Sequence, residues 1–157
     1  MNLFISNLLL SLVWLGLTGQ FTPVNFIIGF SLAYLLLWLT LGTGRKETYF
    51  KKVWQVIRFV LYFSWEFLTA NFRVVLEILT PAHNMRPGIV AVPLDARTDL
   101  EITAFANLIT LTPGTLSLEV SSDRSVLFVH AMYIYDTDDF KKHLKQGLER
   151  RLLEVMR

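Results

Sequence analysis

The sequence predicts a membrane α-helical hairpin, then a long amphipathic helix, then a small α+β domain with the order β-α-β-β-α. Three observations predict it. No Asp, Glu, Lys, Arg or His precedes Arg45, so all fifteen Lys and Arg, all thirteen Asp and Glu and all three His lie in the remainder of the 157 residues. Residues 51–80 carry polar side chains at spacings of three and four along an otherwise apolar run, and the composition shifts again after Pro81 and Pro87. The expected divisions are 1–44 for the hairpin, 45–82 for a basic loop and the amphipathic helix, and 83–157 for the α+β domain.

Composition agrees. The chain is 53% hydrophobic and 18% charged, with a mean hydropathy of +0.44, whereas about a quarter of the residues of a soluble domain are charged. The lack of Cys excludes a disulfide-stapled secreted domain. A net charge of +2, without Lys and Arg interleaved with aromatic residues, excludes a nucleic-acid partner.

Crossing a hydrocarbon core takes about 20 apolar residues. Met1–Thr18 and Val24–Leu41 approach that length, and Gly19-Gln20-Phe21-Thr22-Pro23 between them suits a tight turn with Pro23 in the first turn of the second helix. Met1–Leu10 contains no basic residue, which argues against a cleaved signal peptide. Ser6, Ser11, Gly16, Gly29, Ser31 and Ala33 are small enough to allow close helix approach. Arg45, Lys46, Lys51 and Lys52 follow the second span, and the positive-inside rule puts them, and with them the N-terminus, in the cytoplasm.

The third apolar segment differs. Lys51, Gln55, Arg58, Tyr62, Glu66, Thr69, Arg73, Glu77 and Thr80 fall within a sector of roughly 100° on a helix. Arg73 and Glu77 are four apart and spaced to pair, whereas Arg58 and Glu66 are two turns apart and are not. One placement lays the helix in the membrane interface, with the stripe towards water and Trp54 and Trp65 in lipid. The other makes it a third span whose ionisable stripe faces partner helices or an ion path.

In the last part, Ile89–Leu94 reads as a strand whose Pro93 favours an edge. Thr98-Asp99-Leu100-Glu101 has capping-box spacing, opening a helix that Pro113-Gly114 ends after Leu111. Thr115–Val120 and Ser125–Met132 form a hairpin around Ser121-Ser122-Asp123-Arg124. A final helix is capped by Asp136 or Thr137 and turns Phe140, Leu144, Leu148, Leu152 and Val155 inward. The order suggests helices covering one face of a three-stranded sheet.

Chemistry-bearing residues are sparse. His83 and His143 have no His or Cys at metal spacing, and His130 ends a strand near Asp136 and Asp138, where a satisfied polar contact is expected. An enzyme would need His130 and those carboxylates around a pocket. Walker A, GxGxxG, GxSxG and HExxH sequences are absent. Asp136-Thr-Asp-Asp139 lacks the glycine and distal Glu of an EF-hand, and helix capping accounts for it. No cofactor and no metal is expected. Thr110-Leu-Thr-Pro-Gly-Thr115 is the most distinctive loop, read first as a rigid helix-to-strand connection and second as a ligand-binding turn. The two apolar spans hold no ionisable side chain, so by themselves they cannot relay protons or coordinate ions at mid-membrane.

Asn107-Leu-Ile-Thr-Leu-Thr-Pro-Gly-Thr115, followed by Leu118-Glu-Val and Leu127-Phe-Val-His130, resembles the signature region of the E subunit of the Mrp-type multisubunit monovalent cation:proton antiporters. The similarity in layout covers nearly the whole chain. It implies a cytoplasmic-membrane complex that exchanges Na⁺, or in some members K⁺ or Li⁺, for external protons. Large partner subunits similar to membrane subunits of respiratory complex I would hold the ion path. The E subunit would support assembly and stability, with other membrane subunits and the lipid bilayer as its partners and Na⁺ and H⁺ handled by the complex. No catalytic residue carries over. Candidate partner-contact or structural residues are Arg58, Glu66, Arg73, Glu77, Asn107, Thr112, Pro113, Gly114, Thr115 and His130. The alternative is a membrane-tethered regulatory module whose α+β domain recruits a soluble ligand or protein.

Overall fold

A computed structural model describes residues 3–40, 47–80 and 85–157. The expectations for Arg45, Lys46 and His83 lie outside the described residues. The chain divides into two units, Met1–Trp54 and Gln55–Arg157.

In the first unit, α1 (Leu3–Thr18) and α2 (Pro23–Thr40) form an antiparallel pair, with Gly19 at φ +64° in the turn between them. Their contact faces repeat every four residues: Asn7, Ser11 and Leu15 on α1, and Asn25, Gly29, Ala33 and Leu37 on α2. A Cβ on Gly29 would lie 2.7 Å from the Trp14 ring, so glycine is what lets the tryptophan seat there. The Trp14 indole donates to Asn25 Oδ1 at 3.0 Å, and the Asn25 amide donates to Thr18 Oγ1 at 2.6 Å and to the Gln20 carbonyl at 2.7 Å. Asn7 donates to the Tyr49 hydroxyl at 2.8 Å. Of the small residues, Ser11, Gly29 and Ala33 are in the contact, whereas Gly16 and Ser31 face outward.

A third helix, α3 (Glu47–Leu79), runs from the first unit into the second. The second unit adds β1 (Gly88–Pro93), α4 (Asp99–Leu111), β2 (Thr115–Val120), β3 (Val126–Ala131), α5 (Thr137–His143) and α6 (Arg150–Met156). The sheet order is β1-β3-β2, with both pairings antiparallel. β1 and β2 are therefore parallel and separated by the later strand, a split β-α-β. Pro93 lies on an edge strand, where its missing N–H costs no ladder bond. Leu118 is the extra residue of a bulge in β2.

Thr98 caps α4 by accepting the Glu101 N–H, and Glu101 reaches back to the Thr98 and Arg97 N–H groups. The core is Val90 and Val92 of β1, Phe105 and Ile109 of α4, Leu127 and Val129 of β3, and Leu144, Leu148 and Leu152. Phe59, Tyr62 and Phe63 of α3 pack against it.

The final helix departs from the expected single α-helix. Leu144–Glu149 between α5 and α6 is π-helical, with the Arg150 N–H bonded to the Lys145 carbonyl five residues back. The wider turn shifts the inner face by one residue, so Glu149 and Leu153 are buried beside Leu148 and Leu152 while Val155 is only half-buried.

Candidate functional site

The polar stripe of α3 turns towards the chain's own α+β domain. Glu66 Oε2 lies 3.3 Å from His143 Nε2 on α5. Glu77 accepts a hydrogen bond from the Tyr133 hydroxyl. The Arg151 guanidinium stacks 4.1 Å from the centroid of Tyr62, a cation–π arrangement. The opposite side is apolar and exposed: Leu61, Trp65, Leu68, Phe72, Val75, Leu76 and Leu79 all face away from the domain.

The expected Arg73–Glu77 pair does not form. Tyr133 comes between them, taking the carboxylate with its hydroxyl while the Arg73 guanidinium sits 6.0 Å from its ring centroid. Arg58 is exposed and, among the described residues, has no ion-pair partner.

Facing α3 is the turn after α4. The Thr112 hydroxyl donates to the Leu108 carbonyl at 3.1 Å, and the Thr115 hydroxyl donates to the Ile109 and Thr112 carbonyls at 2.7 and 2.9 Å. Thr110 donates to the Ala106 carbonyl and accepts the Ser117 N–H. The hydroxyls thus satisfy the end of α4, which otherwise leaves carbonyls unpaired. Gly114 has φ +88°, and a Cβ there would lie 3.1 Å from the Tyr133 ring. Pro113, Gly114, Thr115, Glu66, Arg73 and His143 share one hollow of about 380 Å³ floored by Ile109, Leu144 and Leu148. Asn107 is not part of it: it is exposed on the outer side of α4.

His130 is also elsewhere. On β3 it lies opposite Ile89 of β1 and Leu116 of β2, on the sheet face turned away from Leu127 and Val129. Among the described residues it makes no hydrogen bond or ion pair with Asp136 or Asp138, the Asp136 carboxylate instead accepting the Asp138 and Asp139 N–H groups as the cap of α5.

Sequence reasoning missed three features. Glu149 is fully buried, its Oε1 accepting the Asp95 and Ala96 N–H groups at 2.7 and 3.0 Å. Arg157 donates to Glu101 Oε1 and Oε2 at 2.9 and 3.2 Å. This guanidinium and the two backbone donors hold the Glu101 carboxyl down at about 2. Tyr133, which meets both Arg73 and Glu77, had no local signal beyond its place just after a strand.

The profile of the Na⁺/H⁺ ion antiporter subunit family matches residues 7–155. The E subunit of the Na⁺/H⁺ antiporter of Alkalihalophilus pseudofirmus is 34% identical over 149 residues, 95% of this chain and 94% of that one. The chain belongs to the Na⁺/H⁺ antiporter E-subunit family. The Bacillus subtilis member is likewise 34% identical, over 96% of both chains. These relatives are antiporter subunits, transport proteins rather than enzymes. Among solved structures, a chain of the Mrp complex from Dietzia is 36% identical, with a TM-score of 0.52 over 65% of this chain and 96% of that one. A chain of an archaeal respiratory membrane complex, the membrane-bound sulfane sulfur reductase, is 28% identical, with a TM-score of 0.57 over 96% of both chains.

Proposed function

We propose that this chain is an accessory and assembly subunit of a multisubunit Na⁺, or monovalent cation, to proton antiporter in the cytoplasmic membrane. Residues 1–44 anchor it as a hairpin, 45–82 supply the basic loop and amphipathic helix, and 83–157 form a cytoplasmic domain. Other membrane subunits carry the ions.

The observation that carries this reading is where the ionisable groups lie. The hairpin has no Asp, Glu, Lys, Arg or His, and the Glu66 and Glu77 carboxylates of α3 are engaged by His143 and Tyr133 of the chain's own domain. An ion path needs such groups exposed to a pore. The likeness to a chain of an archaeal respiratory complex, one named for sulfur reduction rather than antiport, supports a role independent of the ion exchanged.

The same contacts favour an interfacial placement of α3 after Gln55. Domain contacts extend from Phe59 to Glu77, a stretch of about 27 Å at 1.5 Å per residue. That is nearly the whole hydrocarbon thickness of about 30 Å. Were this stretch to cross, Asp139, Lys142 and Arg150 of the domain would be drawn into lipid, at a cost of several kcal/mol.

Two measurements test the function. Deleting the gene should abolish Na⁺ tolerance at alkaline pH, and detergent pull-down should recover multispan partners; recovery of the chain alone contradicts the proposal. Glu66→Gln should lower stability while leaving the transport rate of the assembled complex unchanged. Loss of transport from a fully assembled Glu66→Gln complex would put this residue on the ion path.

A further inference from the structure

We infer that the basic hollow between α3 and the α5–α6 helix holds the phosphate of an anionic phospholipid. The inference rests on the interfacial placement of α3 proposed above. An open hollow of about 650 Å³ is walled by Arg73, Lys142, His143, Arg150 and Arg151. It adjoins the apolar-floored hollow beneath the Thr112–Thr115 turn, with Arg73, Tyr133, Phe140 and His143 common to both.

Much of the local charge is already matched. Arg150 pairs with Glu154 at 3.4 Å, His143 is beside Glu66, and the Asp136 carboxylate is spent on two backbone N–H groups. Arg73, Lys142 and Arg151 are left with no carboxylate at ion-pair distance among the described residues, and Asp139 is the one acid remaining on the wall. Arg151 is also held over the Tyr62 ring, 4.1 Å from its centroid, and its buried Nε–H finds no acceptor. With three unmatched cations against one remaining carboxylate, the hollow is short of negative charge.

Position selects the kind of anion. The cations flank a helix whose far side presents Trp65, Leu68 and Phe72 to the membrane, which sets them at the level of lipid headgroups. The adjoining floor of Ile109, Leu144 and Leu148 offers apolar contact. A charged head beside apolar surface matches a phospholipid better than a free anion, which would use only the cations.

The test uses the full chain in detergent micelles, titrated with phosphatidylglycerol, phosphatidylcholine or inorganic phosphate, with thermal unfolding and native mass spectrometry as readouts. Phosphatidylglycerol should bind at least about 30-fold more tightly than phosphatidylcholine and raise the Tm, as two or three membrane-proximal cations require. Inorganic phosphate at the same concentration should do neither. The Arg73→Gln/Lys142→Gln variant leaves the Arg151–Tyr62 stack intact and should lose the preference. Equal binding of the two lipids, a preference retained in the variant, or a Tm rise produced by phosphate alone would overturn the assignment. With both proteins moved into phosphatidylglycerol-containing vesicles, a nitroxide on Leu68→Cys, in a chain with no native Cys, reports separately on the placement: it should read a shallow depth just below the headgroups. A depth reading without lipid preference defeats only the headgroup site, and a nitroxide in water defeats the placement beneath it.

Discussion

The hydroxyl end of Tyr62 on α3 fills the space that a side chain on Gly147 would need. The ring is backed by Arg151, so it has little room to yield. In an open helix Gly→Ala stabilises by up to about 1 kcal/mol. Here Gly147→Ala should destabilise by about 1–3 kcal/mol through overpacking. Adding Tyr62→Phe removes the nearest atom and leaves Cζ at 3.3 Å, so the double variant should recover most of the loss. Thermal unfolding of the four proteins in one detergent measures the coupling.

Glu149 joins the last helix to the loop between β1 and α4 through the Asp95 and Ala96 N–H groups. Glu149→Ala strands both donors and should cost about 1–3 kcal/mol. Glu149→Gln retains a carbonyl acceptor and should cost less. If the two variants unfold at the same temperature, the acceptor role is wrong.

Acid should loosen the second unit through Glu101. Its carboxyl is held at about 2 against an ordinary value of 4.5. A lowered folded-state pKa contributes stability that is complete above the unfolded value and is lost as pH falls through the folded one. The loss should therefore run from about pH 4.5 down to 2. Asp123, held near 2 by Ser121 and Ser125, adds to it in the same direction. Glu101→Gln should be less stable at neutral pH and show a shallower acid decline by circular dichroism. An unchanged slope would remove Glu101 as a cause.

Gly114 combines a left-handed backbone with a close neighbour in Tyr133. Gly114→Ala should cost about 1–2 kcal/mol for the backbone alone. Together with Pro113→Ala it should reduce recovery of the assembled complex in pull-downs. Under the tethered-module alternative, the same pair of substitutions would leave the membrane complex intact.

What could be read from the sequence was local. The Thr98–Glu101 box, the edge position of Pro93 and the three strands rest on spacings of a few residues, and the structure has each of them. The stripe of α3 was legible as a face, but not what would meet it, because Glu66 and His143 are 77 residues apart. Arg73 and Glu77 had the right spacing for each other, yet a tyrosine 56 residues beyond Glu77 took the carboxylate. The π-helical turn was illegible for a different reason. Its one-residue shift follows from how Leu148, Glu149 and Leu152 fit the finished core, and no propensity in residues 144–149 announces that fit.

The distance between the stripe and its partners also bears on how the protein is made. Synthesis runs from the N-terminus, so α3 leaves the ribosome well before Tyr133, His143 and Arg151 exist to meet it. In the interfacial placement proposed above, its greasy side settles into the bilayer at once, while water stands in for the missing half of the polar side. The membrane would then serve as a jig: it would fix the orientation of the helix on which the rest of the domain must close, with the last helix as the clasp.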